Sequence, residues 1–326
     1  MHIPFLLAAV GKDYIWGGTR LKKEFAKDLS LSSLAEMWEC STHPEGPSRV
    51  ASGPYQGKLL QEVLLQRPDF VGTHPVVKKG QLPVLVKLID AQQDLSVQVH
   101  PADDYAHTHE NGQLGKTEMW YVLQAEPGAK LVYGFRRDMS RELLLRTLKE
   151  KTFPQYLQYI PVHTNDAFYI EPGTVHAIGK GIVLAEVQEN SNITYRLYDY
   201  DRVDKNGQTR TLHTQQALAV ANLKAGRAPV QPMRVLNYQP GCAKELIGRC
   251  KYFLVERMLI NCLPDQPLSY QTGHNSFRIL LCIQGEGELV WAEDKLHFKK
   301  GDCLFVPADS VPLKVVGNTQ FLQVSC

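Results

Sequence analysis

The sequence predicts a mainly β protein, two jelly-roll barrels with an α-helical insertion, and three observations carry that prediction. Short apolar runs separated by Gly and Pro turns fill residues 81–135 and resume at about 160. Residues 138–159 break the pattern, because Leu143, Leu144, Leu145 and Leu148 follow Ser140 with helical spacing and Ser140 is a ready N-cap. From about 235 the pattern is strand again and repeats an earlier motif. In both Asn165–Pro172 and Lys300–Pro307 a polar turn leads into an apolar strand that ends at Pro.

Residues 1–80 mix short strands with helix-like pieces. Residues 13–20 (DYIWGGTR) make an aromatic turn, and Glu36 to Pro44 reads as a strand closed by its Pro. Glu39 and His43 on that strand are placed to face a site, although a His before Pro also suits a turn. Leu59, Leu60, Val63, Leu64 and Leu65 have the spacing of a helix packed on a sheet. The run PVLVKLID at 83–90 is the first of the central strands. His107 and His109 fall in a polar, Gly-flanked segment read as a solvated loop. Residues 205–208 (KNGQ) read as a turn, 213–223 as a helix, and 224–229 as a linker.

Bulk properties narrow the function. The chain has 326 residues, is 44% hydrophobic and 21% charged, and carries a formal net charge of +2. That balance argues against a nucleic-acid footprint but leaves room for a small anion held by two or three local cations. No apolar run reaches the roughly 20 residues of a membrane span. The apolar N-terminus lacks a basic leader and is broken by Pro4, so the expected location is cytoplasmic. Seven cysteines, odd in number and without a C-x-x-C pair, read as reduced and mostly buried.

Residues 95–121 demand a chemical explanation. Gln98 and His100 alternate with Val97 and Val99, so both point to one face of a strand. Glu118 opens the next apolar strand, and the turn Glu171-Pro172-Gly173-Thr174 presents His176. Two His, one Glu and a Gln oxygen make a mixed N/O metal site, one ion per chain, with zinc the leading candidate. The competing reading is of polar strand faces satisfied by their neighbours. The apolar setting of Gln98 and His100 favours the metal, as does the recurrence of ligand-bearing strands in an order that a barrel would gather at one mouth.

These motifs resemble the cupins, and more closely the type I mannose-6-phosphate isomerase family in its short bacterial form. The resemblance rests on PVLVKLIDA at 83–91, LSVQVHP at 95–101, GKTEMWY at 115–121, PGTVHAI at 172–178 and AEVQENSNITYRLYDYDR at 185–202. It implies zinc on Gln98, His100, Glu118 and His176, with Arg196 and Glu186 beside the metal as catalytic candidates. It further implies that Ser96, Lys116 and Arg202 lie near the sugar phosphate and that His43 lines the pocket. The implied organisation is an N-terminal catalytic cupin domain over residues 1–234, with the helical insertion at about 138–160, and a metal-free cupin-like barrel over 235–326. The implied partner is a small sugar phosphate, with no nucleic acid or membrane, on a monomer or homodimer.

The chemistry stands apart from the name. Interconverting mannose 6-phosphate and fructose 6-phosphate moves a proton between C2 and C1 through an enediol whose oxygens gain negative charge. A divalent ion and Arg196 would stabilise that charge. Either Glu186 or His43 would move the proton, and Lys116, on the strand face of Glu118, could reach the substrate. Each role has a structural competitor, such as a cross-strand pairing of Glu186 with Arg196. Two other functions share these features: an isomerase or epimerase for a different sugar phosphate, and a sugar-sensing bicupin without catalysis.

Overall fold

The computed structural model describes all residues except 28, 29, 78, 79, 204–206, 230 and 233. Lys205 and Asn206 of the expected turn at 205–208 lie outside the described residues. Among the described residues the strands form three sheets, which makes the chain mainly β as its sequence predicts.

Two of these sheets position the site. The six-stranded sheet runs Ala167–Ile170, Glu118–Ala125, Ile182–Glu189, Val84–Ala91, Glu36–Cys40, Val10–Lys12. The five-stranded sheet runs Tyr195–Tyr198, Val97–Val99, His176–Ile178, Lys130–Phe135, Leu157–Pro161. They face each other across an apolar layer that includes Ile89, Trp120, Val122 and Leu184 from the first, with Leu131 and Ile178 from the second. Both faces of the six-stranded sheet are covered, which is why VLVKLIDA is buried along its whole length. Its alternate residues Val84, Val86 and Leu88 pack outward with Val183, Ala185 and Val187 in a second core.

That second core joins the six-stranded sheet to a ten-stranded one built mostly from residues 236–325. The N-terminal strand Phe5–Ala8 crosses over to pair antiparallel with Cys303–Val306, so the two ends of the chain share one sheet. The outer face of the five-stranded sheet is covered by the helices Arg141–Lys149 and Thr214–Val220, through Leu144, Ala217 and Leu218.

The three expected helices form with shifted bounds, as Leu60–Gln66, Arg141–Lys149 and Thr214–Val220. Ser140 Oγ accepts from the Leu143 N–H at 3.1 Å and caps its helix as expected. The helical stretch is shorter than 138–159, because Leu157–Pro161 pairs as a strand with Lys130–Phe135. The polar segment carrying His107 and His109 is a helix, Asp103–His109, rather than a loop; the two acidic residues of its first turn suit the helix dipole. Both histidines are exposed on it. The seven cysteines are all unpaired.

Candidate active site

The site lies between the six- and five-stranded sheets, and strand register builds it. In the five-stranded sheet Gln98 sits between His176 on one neighbour and Arg196 on the other. In the six-stranded sheet Trp120, Glu186, Lys87 and Trp38 lie side by side across four strands. Glu118, two residues before Trp120 on the same face, stands opposite Gln188.

His100, Glu118 and His176 converge so that their ligand atoms all lie within 4.8 Å of one another, and all three are buried. Glu118 Oε1 is 3.2 Å from His100 Nε2, and Oε2 is 3.6 Å from His176 Nε2. Neither carboxylate oxygen nor either His100 nitrogen has a hydrogen-bond partner. Apart from the ion-pair contact of Lys116 with Glu118 Oε1, these buried atoms go unsatisfied, which is costly unless an ion takes those that face it. His176 Nδ1 donates to Thr174 O at 2.8 Å, which turns the Nε2 lone pair toward the cluster. The Gln98 amide nitrogen is 3.5 Å from the same His176 Nε2. Burial, reinforced by Lys116, pushes His100 down to about 3, and burial lowers His176 as well, so both rings are neutral and ready to ligate. Burial opposes charge on Glu118, but Lys116, His100 and His176 together hold its carboxyl well below the usual range. The donor set therefore fits a divalent cation.

Beside this cluster is a cavity of about 280 Å³ whose lining includes Gln98, Ser96, Lys116, Glu186 and Arg196. Lys116 Nζ is 3.1 Å from Glu118 Oε1. Glu186 Oε2 accepts from the Trp120 indole N–H at 2.8 Å, and Oε1 is 3.2 Å from Lys87 Nζ. Burial and the charge of Glu118 push the Glu186 carboxyl up, against the pull of Lys87 and Lys116. Arg196 Nε donates to Ser96 Oγ at 3.2 Å, and its Nη1 donates to Thr211 O at 2.8 Å. Arg196 and Glu186 do not pair with each other.

Other expected residues lie elsewhere. The His43 ring packs edge-on against Trp38, its Nδ1 accepts from the Glu45 N–H at 3.2 Å, and it is outside the cavity lining. Glu39 falls on the opposite face of its strand from Glu36 and Trp38, away from the cavity, and pairs with Lys27 at 2.8 Å. Arg202 is committed to Asp199 and to the Asp94 carbonyl and does not line the cavity.

Several lining residues, Lys87 and Arg210 among them, have no role assigned from the sequence. Lys87 bridges Glu186 and Glu36, the latter at 3.6 Å. Although burial works against its charge, Glu36, Glu186 and Glu118 hold it above the usual lysine range. A lone Lys inside an apolar strand was the available signal. Arg210 also lines the cavity and pairs with Asp199 at 2.5 Å, and Tyr14 and Trp16 of the aromatic turn close one side. Nothing in the sequence around Arg210 marks it.

The comparisons with known proteins agree with this geometry. Residues 5–123 match the model of the phosphomannose isomerase type I catalytic domain, and 244–326 that of the mannose-6-phosphate isomerase cupin domain. The chain is 36% identical to the mannose-6-phosphate isomerase ManA of Bacillus subtilis, covering 97% of each sequence. This chain belongs to the mannose-6-phosphate isomerase family. It is also 42% identical to the probable mannose-6-phosphate isomerase GmuF of the same organism, over 99% of each. A crystal structure of mannose 6-phosphate isomerase from Bacillus subtilis superposes with a TM-score of 0.89 at 34% identity, covering 99% of each chain. The fold is therefore of the cupin type found in that family.

Proposed function

We propose that this chain interconverts mannose 6-phosphate and fructose 6-phosphate as a zinc-dependent isomerase, through an enediol. One observation carries the reading. A buried His-Glu-His cluster is in contact with Lys116 and Gln98, which line a cavity that also holds a buried carboxylate whose basicity is raised. Gln98, His100, Glu118 and His176 would hold the ion, which when bound supplies Lewis-acid polarisation of the substrate carbonyl.

The chain's own residues do the rest. Glu186, its basicity raised by burial and by the charge of Glu118, moves the proton between C2 and C1, and the Trp120 N–H and Lys87 fix its two oxygens. His43 is the weaker base, because it lies outside the cavity lining. Lys116 and Arg196 supply fixed positive charge for the developing oxyanion. Ser96, Arg196 and Arg210 receive the phosphate. Burial and the nearby Arg210 lower Arg196, a like-charge strain that a bound anion relieves. Arg202 acts behind them by holding Asp199.

With this reading go a cytoplasmic location, consistent with seven unpaired cysteines, and two barrels divided at 234/235, the helical stretch being an insertion in the first. Among the described residues no helix is long and apolar enough to cross a membrane. The test is a coupled assay of mannose 6-phosphate turnover on protein as purified, after chelation, and after zinc is restored. Activity lost on chelation and regained with zinc supports the reaction and the metal together. Folded, zinc-loaded protein without turnover removes this substrate and directs the search to other sugar phosphates.

A further inference from the structure

We propose that the strand pair Cys242–Arg249 and Leu254–Cys262 of the ten-stranded sheet braces the active site, with Tyr252 as a positioning residue acting through Asp103 on Lys116. The segment Gly115–Thr117 carries Lys116 from the helix Asp103–His109 to the strand that begins at Glu118. Its three successive N–H groups are each held. Gly115 donates to Asp103 Oδ1 at 2.9 Å, Lys116 to Pro101 O at 3.1 Å, and Thr117 to Glu189 Oε1 at 2.8 Å. Packing leaves no slack, because a Cβ on Gly115 would meet Asp103 N at 2.5 Å.

The other oxygen of Asp103 belongs to the far sheet. The turn between that strand pair places the Tyr252 hydroxyl in a short hydrogen bond to Asp103 Oδ2, with Lys251 Nζ 3.4 Å away. The same pair grips the ligand strand twice more. Arg257 Nη1 donates to the Tyr121 hydroxyl at 2.9 Å, and Gly248 lies so close to Met119 that a Cβ would meet its Sδ at 2.7 Å. A sheet with no ligands of its own thus fixes both the segment before Glu118 and the strand after it.

The inference rests on the substrate reading above for its kinetic part, and hydrogen exchange tests it independently. In full-length, zinc-loaded protein, Tyr252→Phe removes the hydroxyl and keeps the ring. Expected are about tenfold faster exchange in the peptide spanning 110–118, with the strand Val84–Ala91 unchanged, and a similar loss in kcat/KM. The kinetic loss vanishes when the substitution is repeated in Lys116→Met protein, because the two act as one unit. Tyr238→Phe, at an exposed tyrosine of the same sheet, moves neither readout. Unchanged exchange at 110–118, or a kinetic loss undiminished in the Lys116→Met background, overturns the proposal. If wild-type protein turns over no mannose 6-phosphate, the functional reading fails and exchange alone decides the brace.

Discussion

Lys87 and Glu189 show how single buried charges are settled by their neighbours. Lys87 is 3% exposed and lies between two carboxylates. Lys87→Met leaves the buried Glu186 and the half-buried Glu36 without their cation, a change that costs about 3 kcal/mol. Urea unfolding reads this as a lower midpoint at constant slope, and an unchanged midpoint would show that the ladder is not held by charge. Glu189 is pushed up to about 7 by burial, with Asp103 adding and the Thr117 hydrogen bonds opposing. Its folded pKa exceeds its unfolded value, so the stability it contributes is fully present below about 4.5 and is lost as pH rises through about 7. Wild-type protein should lose roughly 3 kcal/mol across that window relative to Glu189→Gln, measured by denaturation of chelated protein at pH 5 and pH 8. Parallel pH dependence in the two proteins would rule out Glu189 as the titrating group.

Strands were more legible than helices, for a reason seen in individual elements. VLVKLIDA is buried on both faces and so announces itself as a continuous apolar run. The helix Asp103–His109 buries only Ala106 and thus shows almost no apolar stripe in its sequence. Ser140 was legible because a cap is a local interaction between a side chain and an N–H three residues on. Ser140→Ala should cost about 1 kcal/mol and leave turnover unchanged, since this helix packs on the outer face of the five-stranded sheet. A loss of activity without a loss of stability would mean that the helix touches the site by a route not seen here. The register shift after Trp38 had no signal in the sequence, whereas alternation alone puts Glu36 toward the cavity and Glu39 away from it.

Across the whole molecule, the candidate ligand cluster draws on two facing sheets, Glu118 from one, with His176 on the other and His100 directly after its strand Val97–Val99. An ion there ties the sheets together and takes up the Glu118 carboxylate and one His100 nitrogen. Zinc at a thousandfold excess over its Kd should therefore stabilise the fold by about 4 kcal/mol, read by calorimetry as a higher midpoint than in chelated protein. Equal midpoints would contradict binding at this cluster. The sequence by itself determined the β class and put Gln98 and His100 on one strand face, because alternation along a strand assigns a side chain to a face without reference to the rest of the fold, whereas Glu186 and Arg196 entered through the family resemblance. Only the tertiary structure decided which of those faces meet. It brought Lys87 between Glu36 and Glu186, drew Arg210 into the cavity in place of Arg202, and set Tyr252 of the distant sheet on Asp103. These contacts join residues far apart in the chain, and no local period encodes them.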